Sequence, residues 1–250
     1  MSGHSKWHSI KHKKAVVDAK RGKIFTRHAK LVAIAARGGG DPDMNPTLRM
    51  AVENARAENM PYDNIERAIK KGSGEAKDAA QIDEVMYEGF GPGGVALYIE
   101  TLTDNKNRTV SNVKLLMSKN GGNLGAAGTV GYLFHKKGLI EVSLEGKKRD
   151  EIELAAIDVG AEDFKENGDL VEIYTAPHDL MKVKTALNQK EIATEGARLT
   201  YVPQTTVTIQ DEETAKKLLD LIDVLEEDED VSMVYSNFML EEVLAKRLEG

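Results

Sequence analysis

Residues 139–202 read LIEVSLEGKKRDEIELAAIDVGAEDFKENGDLVEIYTAPHDLMKVKTALNQKEIATEGARLTYV, and their hydrophobic pattern indicates the architecture of this part of the chain. Alternating apolar residues predict strands over 139–144, 161–166, 170–175 and 192–202. Helical spacing predicts helices over 149–159 and 178–189. The resulting order, βαββαβ, is that of a ferredoxin-like domain.

Two shorter groups of elements flank this unit. Strands 83–90 and 95–103 and a helix over 107–120 precede it, with a further strand over 130–135 and a Lys137-Gly138 break before residue 139. Strand 205–209, helix 212–226, strand 231–237 and a short terminal helix follow it. Because neither flank alone makes a sheet with a covered face, we expect them to pair. The prediction is one discontinuous α/β domain, 80–136 plus 204–250, with the ferredoxin-like domain 137–203 inserted into it.

The N-terminal part of the sequence is helical. The pattern predicts helices over 23–37, 46–58 and 63–71, separated by Gly38-Gly39-Gly40 and by Met60-Pro61. Asn45 and Pro46 suit the N-cap and first position of the second helix. The predicted fold class is therefore α+β multidomain: an arm and three-helix bundle over 1–76, followed by two α/β domains, one inserted in the other.

Charge is strongly segregated along the chain. The formal net charge is -7, yet residues 1–71 hold 15 Lys/Arg against 7 Asp/Glu, while residues 72–250 hold 19 against 34. Segregation on this scale costs self-repulsion unless a polyanion is nearby, which favours nucleic acid as the partner. The candidate nucleic-acid-binding residues are Lys6, Trp7, Lys11, His12, Lys13, Lys14, Lys20, Arg21, Lys23, Arg27 and Lys30.

The first predicted helix is amphipathic in an unusual way. Lys23, Arg27, Lys30 and Arg37 fall on one arc, and apolar residues fill the opposite side. The arc predicts a rigid positive surface, and the alternative is a merely solubilising face. The third predicted helix ends with cations that would extend this surface: Arg67, Lys70 and Lys71. Trp7, in the preceding arm, either stacks on an unpaired base or anchors the arm to its own domain.

Other kinds of site have little support in the sequence. There is no cysteine, and no apolar stretch approaches eighteen residues, so we expect neither disulfides nor a membrane span. The glycine runs 89–94 and 121–125 lack the context of a phosphate loop and fit a tight hairpin and a helix end. His4, His8 and His12 could line one helical face, but the surrounding lysines disfavour a metal ion. We expect no catalytic residue, metal, cofactor or small-molecule substrate.

Signature residues run through the whole chain, and together they resemble the YebC/PmpR family. The matching segments are 3–7, 10–14, 18–25, 39–42, 45–46, 59–61, 63–69, 87–89, 91–94, 103–105, 107–110, 121–125 and 235–238. Ala126-Ala127 stands where the family has a more polar pair.

The resemblance implies three domains and a cytoplasmic, non-enzymatic regulator of gene expression, since bacterial relatives are described as DNA-binding transcriptional regulators. Mitochondrial relatives are translational activators of cytochrome oxidase subunit I, which makes a factor bound to ribosomal RNA the first alternative. Phosphates are common to both targets, so the basic arm fits either. A second alternative is an acidic protein-interaction module whose arm docks on its own acidic face or meets a protein partner.

Overall fold

The structure is a computed structural model that describes residues 17–76, 80–145, 148–241, 244 and 247, with residues 17–20 described by their backbone. Across these residues the chain is a mixed α/β protein with seven α-helices, two four-stranded antiparallel sheets and one parallel strand pair.

Three helices open the described chain: α1 (Val17–Ala36), α2 (Pro46–Ala57) and α3 (Tyr62–Gly72). They share an apolar core that includes Val32, Leu48 and Ile65. Asn45 caps α2 by accepting from the Leu48 N–H at 3.1 Å, and its amide also donates to the Ala35 carbonyl in α1 and to the Gly39 carbonyl in the connecting turn. This one side chain therefore fixes the angle between α1 and α2.

The first sheet has the order β3-β1-β2-β9. Its strands are β1 (Asp83–Phe90), β2 (Ala96–Thr103), β3 (Asn123–Leu124) and β9 (Val231–Ser236). Helices α4 (Lys106–Lys119) and α7 (Glu212–Glu227) share one apolar core with this sheet. Beside it, β8 (Val207–Ile209) and β10 (Phe238–Leu240) pair in parallel.

The second sheet has the order β5-β6-β4-β7. Its elements run β4 (Phe134–Ser143), α5 (Arg149–Asp158), β5 (Asp163–Asn167), β6 (Leu170–Thr175), α6 (Leu180–Gln189) and β7 (Gly196–Pro203). Both helices pack on it through a core that includes Ile140, Ile152 and Leu187. When the four strands are numbered within the βαββαβ unit, they lie side by side in the order second, third, first, fourth.

Two local predictions were wrong. Gly131–Leu133, predicted as part of a strand over 130–135, forms a 3₁₀ turn. Residues 134–143 form a single strand, whereas the sequence predicted two strands with a break at Lys137-Gly138. Gly138 lies inside the strand at a position with no room for a side chain, because a Cβ there would come within 2.3 Å of the Thr175 Oγ1 atom on β6. The glycine therefore permits close strand packing and does not end the strand. Of the predicted terminal helix, most residues lie outside the described part of the chain.

An aromatic cluster joins the two sheets. Tyr98 stacks on Phe134 with ring centroids 5.6 Å apart, and Tyr201 meets Tyr98 and Tyr235 edge-on at 5.0 and 5.1 Å. These four rings come from β2, β4, β7 and β9. The edge-on geometry is a favourable one for aromatic pairs, so the cluster holds the sheets in one orientation.

Helix α2 contacts the second sheet as well. The Asn54 side-chain amide donates to the Ala197 carbonyl at 2.6 Å and accepts from the Ala197 N–H at 3.3 Å. Asn54 thus satisfies both backbone groups of one residue on the edge strand β7, and Glu53 forms an ion pair with Lys184 on α6. The helices are thereby fixed to the second sheet by polar contacts.

Candidate nucleic-acid interface

All eleven predicted site residues lie within residues 6–30, the basic N-terminal segment. Six of them lie outside the described residues: Lys6, Trp7, Lys11, His12, Lys13 and Lys14. Lys20 is part of α1, and its side chain lies outside the described part as well. Arg21 is exposed on α1. The remaining three, Lys23, Arg27 and Lys30, are half-buried along the same helix.

Lys30 points into the molecule. Its ammonium group donates to the carbonyls of Leu102 and Glu229, each at 2.8 Å, and to Asp230 Oδ1 at 3.1 Å. These acceptors account for all three ammonium protons. Lys30 therefore fastens α1 to the first sheet.

Asp230 is the centre of this polar junction. Although the residue is buried, its Oδ2 accepts from the Arg108 guanidinium at 2.7 Å and from the Thr109 hydroxyl at 2.9 Å, besides the Lys30 contact at Oδ1. Burial opposes the ionised form, but the donors outweigh it and lower the pKa of Asp230. The carboxylate is ionised at neutral pH and joins α1, α4 and the start of β9.

Arg27 lies in a second polar group at the same junction. Its Nε atom is buried and has no hydrogen-bond partner within the described chain. Burial lowers the pKa of Arg27, and neighbouring Arg198 acts in the same direction, against Glu100 and Tyr235. The Tyr235 hydroxyl donates to Glu100 Oε2 at 3.0 Å, and Arg198 pairs with both oxygens of Glu141.

His28 is buried beside this group. Burial, followed by the charges of Arg27 and Arg198, lowers the pKa of His28 to about 4. The imidazole is consequently neutral at physiological pH and adds no positive charge to α1.

The predicted positive surface along α1 was wrong in its orientation for Arg27 and Lys30. Both side chains face the first sheet, while the other side of the helix packs into the helical core through Val32 and Ala36. A stripe of charged residues on a helix indicates only that their surroundings are polar. For Lys30 the polar partner is Asp230, an acid 200 positions later in the chain. Whether these cations contact nucleic acid stays a prediction.

Exposed cations and one exposed aromatic ring lie instead on α3. Arg67, Lys70 and Lys71 are exposed, and Tyr62 at the start of the helix keeps 64% of its surface accessible. The sequence pattern already placed the three cations at the end of this helix. Tyr62 was missed, because an aromatic residue in a helix is more often expected in the core.

The glycine-rich segments behave as turns. Pro92–Gly94 forms a 3₁₀ turn between β1 and β2, and Gly93 has φ 75°. The second run ends α4 and leads into β3, which pairs with β1. The following loop is held by Glu88, whose carboxylate accepts from the N–H groups of Gly128, Val130 and Gly131 at 2.6–2.8 Å. Burial would raise the pKa of Glu88, but these donors lower it overall.

Across the described residues, no group of three or more His, Asp and Glu side chains is arranged to hold a metal ion, and His4, His8 and His12 lie outside this part. Within the same residues, no helix has the length and apolarity to cross a membrane.

Comparisons with known proteins agree along the whole chain. Residues 5–75 match the TACO1/YebC protein N-terminal domain, and residues 82–238 match the TACO1/YebC second and third domain. A relative from Thermobifida fusca, named "Probable transcriptional regulatory protein", is 48% identical over 98% of this chain and 99% of its own. A relative from Sulfurihydrogenibium with the same descriptive name is 49% identical over the full length of both proteins.

A solved structure shares the fold. The crystal structure of a conserved hypothetical protein from Aquifex aeolicus superposes with a TM-score of 0.88 at 49% identity, covering 93% of this chain and 96% of that one. Sequence identity of 48–49% over nearly the whole chain, together with matches to all domains of one family, excludes a chance resemblance. The chain belongs to the TACO1/YebC family.

Proposed function

We propose that this protein is a non-enzymatic, nucleic-acid-binding regulator of gene expression that acts as a DNA-binding transcriptional regulator in the cytoplasm. The observation that carries the proposal is the charge segregation: 15 Lys/Arg against 7 Asp/Glu in residues 1–71 of a chain with net charge -7. The names of the relatives, "Probable transcriptional regulatory protein", support the same role.

The proposed contact is the basic N-terminal segment. Lys6, Trp7, Lys11, His12, Lys13, Lys14, Lys20 and Arg21 would meet phosphates and bases. Lys23, Arg27 and Lys30 complete the candidate set, but the hydrogen bonds of Lys30 and the burial of Arg27 near Glu100 and Tyr235 favour a positioning role for these two. A helix anchored in this way would present the preceding residues from a fixed point, which reduces the entropy lost on binding.

The domain organisation is part of the proposal. We infer an arm and helical domain over 1–76, a discontinuous α/β domain over 80–136 and 204–250, and an inserted ferredoxin-like domain over 137–203. Separate apolar cores in the helices and around each sheet support this division.

Ribosomal RNA is the alternative target. The resemblance to mitochondrial translational activators favours it, and a phosphate-directed surface does not separate RNA from DNA. The acidic interaction module is a further alternative, favoured by the Lys30–Asp230 contact, in which one cation of the basic segment already meets an acid of the same chain.

The arm is tested by replacing Lys11, Lys13 and Lys14 together with alanine. Affinity for duplex DNA falls with salt, and each phosphate contact adds about 0.9 to the steepness of log affinity against log salt. The triple variant should therefore bind more weakly, and its salt dependence should be less steep by about 2 to 3. Fluorescence anisotropy across a salt series measures both quantities. The matched control replaces Lys216 and Lys217, exposed on α7 and paired with Glu212 and Glu213. Equal affinities and slopes for wild type and triple variant would overturn the arm as the contact.

The target is identified by crosslinking in cells followed by sequencing of both DNA and RNA. Enrichment at promoters supports the transcriptional role. Enrichment on ribosomal RNA supports the alternative and contradicts the DNA proposal.

A further inference from the structure

Helix α3 presents one face that combines an aromatic ring with cations. At 3.6 residues per turn, Tyr62, Arg67, Lys70 and Lys71 fall within one half of the helix circumference, and the acids Asp63 and Glu66 lie in the same half. Ile65, Ala68 and Ile69 occupy the other half and pack into the helical core. We call these four exposed residues the α3 face.

The cations of the α3 face keep their charge available to a ligand. Lys70 pairs with Glu66 one turn earlier at 2.8 Å, and both side chains stay about half exposed. Arg67 donates to the Asp63 carbonyl and to the Asn64 side chain, neither of which neutralises it. Exposed pairs of this kind contribute little stability, so a phosphate can replace the glutamate at small cost.

Tyr62 lies at the N-terminal end of the same face. It precedes Lys70 by eight residues, about 12 Å along the helix, so the ring and the cations would contact different parts of one bound strand. The ring is 64% exposed at the first position of α3, behind Pro61. Single exposed apolar side chains are common on protein surfaces, so the exposure of Tyr62 is informative only together with the cations on the same face.

The α3 face continues into a cleft. Lys71 lines an opening of about 230 Å³ together with Arg37 from the end of α1, Gly72 and Gln81. Arg37 donates to the Ile82 carbonyl and lies 4.0 Å from Asp83 Oδ1, so its guanidinium is held at the rim. Arg37 thus adds one further cation at the far end of the face from Tyr62.

We propose that the α3 face binds a short single-stranded segment of nucleic acid, with one unpaired base stacked on Tyr62 and phosphates bound by Arg67, Lys70 and Lys71. The proposal rests on the nucleic-acid-binding function proposed above and gives it a second contact, separate from the arm. Tyr62 and Lys71 are nine residues apart, or about 13 Å along the helix, the length of a few nucleotides.

Single strands suit this surface better than a duplex does. Base–aromatic stacking needs an unpaired base, because the π-faces of a duplex are already stacked. The one amide on the helix that could read an adenine edge, Asn64, accepts a hydrogen bond from Arg67. Sequence-independent binding to a strand is therefore the expected mode.

The test compares Tyr62→Ala with wild type in anisotropy titrations, using labelled 20-nucleotide dT and U strands and a duplex of equal length. Loss of one stacked base predicts affinity for the strands lower by about tenfold, with the duplex changed less than twofold. Tyr62→Phe keeps the ring and should bind like wild type. The strand with the larger loss identifies DNA or RNA as the source.

The cations are tested by Arg67→Ala, Lys70→Ala and Lys71→Ala together, with Lys216→Ala and Lys217→Ala as the matched control. Three lost phosphate contacts lower the salt slope on single strands by about 2. Single-strand affinity of Tyr62→Ala within twofold of wild type would overturn the α3 face, even if the arm variant weakens binding. Failure of wild type to bind any of the probes would overturn the proposed function, and the α3 face with it.

Discussion

Asp230 shows how much one residue can contribute to the assembly of this molecule. It meets Lys30 from α1, and Arg108 and Thr109 from α4, within 3.1 Å. Replacing it with asparagine leaves two cations beside a neutral group. Removing one partner of a buried ion pair is strongly destabilising, so we expect Asp230→Asn to lower the free energy of unfolding by about 3 kcal/mol in urea titrations.

Controls and pH dependence sharpen that prediction. Lys216→Ala removes an exposed pair and should change stability by less than about 0.5 kcal/mol. The pKa of Asp230 is lower in the folded protein than in the unfolded chain, where it is about 4. The stabilisation by Asp230 is therefore complete above about pH 4, and it is lost as the pH falls through the pKa of the folded state. Equal stability of Asp230→Asn and wild type at neutral pH would rule out the junction as described.

His28 gives a separate pH signature. The pKa of His28 is about 4 in the folded protein against about 6.5 in the unfolded chain, so the unfolded state binds the extra proton first. Wild type should lose stability as pH falls from about 6.5 to 4. The difference between wild type and His28→Gln in unfolding experiments should follow that window, and a difference independent of pH would contradict a buried neutral imidazole.

At the scale of elements, α1 and α3 pack unusually closely. A Cβ at Gly72 would lie 2.0 Å from the Ala33 carbonyl oxygen, so the helices touch backbone to backbone. Gly72→Ala must push them apart and should cost about 2 kcal/mol of unfolding free energy. Gly22→Ala, where no heavy atom lies within 4 Å, should instead stabilise α1 by up to about 1 kcal/mol. Similar melting temperatures for the two variants would contradict this packing.

Local signals predicted most elements because their causes are local. Asn45-Pro46 marked the start of α2 and the glycine run at 38–40 marked the end of α1, as observed. Gly138 misled because its reason is a neighbouring strand, where Thr175 leaves no space for a side chain. A glycine that permits close packing looks like a turn when the sequence is read alone.

The candidate site could be predicted in composition but not in orientation. The cations of α1 were recognisable as a stripe, and the exposed ones on α3 as an extension of it. That Lys30 meets Asp230, 200 residues away, depends on how the helices dock on the first sheet. No local pattern carries that information, so long-range contacts decide which basic face is available.

At the scale of the whole molecule, helices and sheets are fixed to one another. Lys30 joins α1 to the first sheet, Asn54 joins α2 to the second, and four aromatic rings join the sheets. We therefore expect one cooperative unfolding transition. In native-state hydrogen exchange, the amides of α1 should open together with those of β2 and β9, and an α1 that exchanges far earlier would show that the helices unfold independently of the first sheet.

Nucleic acid is proposed to contact two regions of the chain, residues 1–21 and the α3 face. Ultraviolet crosslinking of the full chain to a labelled strand, followed by mass spectrometry of the peptides, identifies the contacted residues. Crosslinks should fall within residues 1–21 and 62–71. Crosslinks confined to residues 72–250 would show that neither region is the contact.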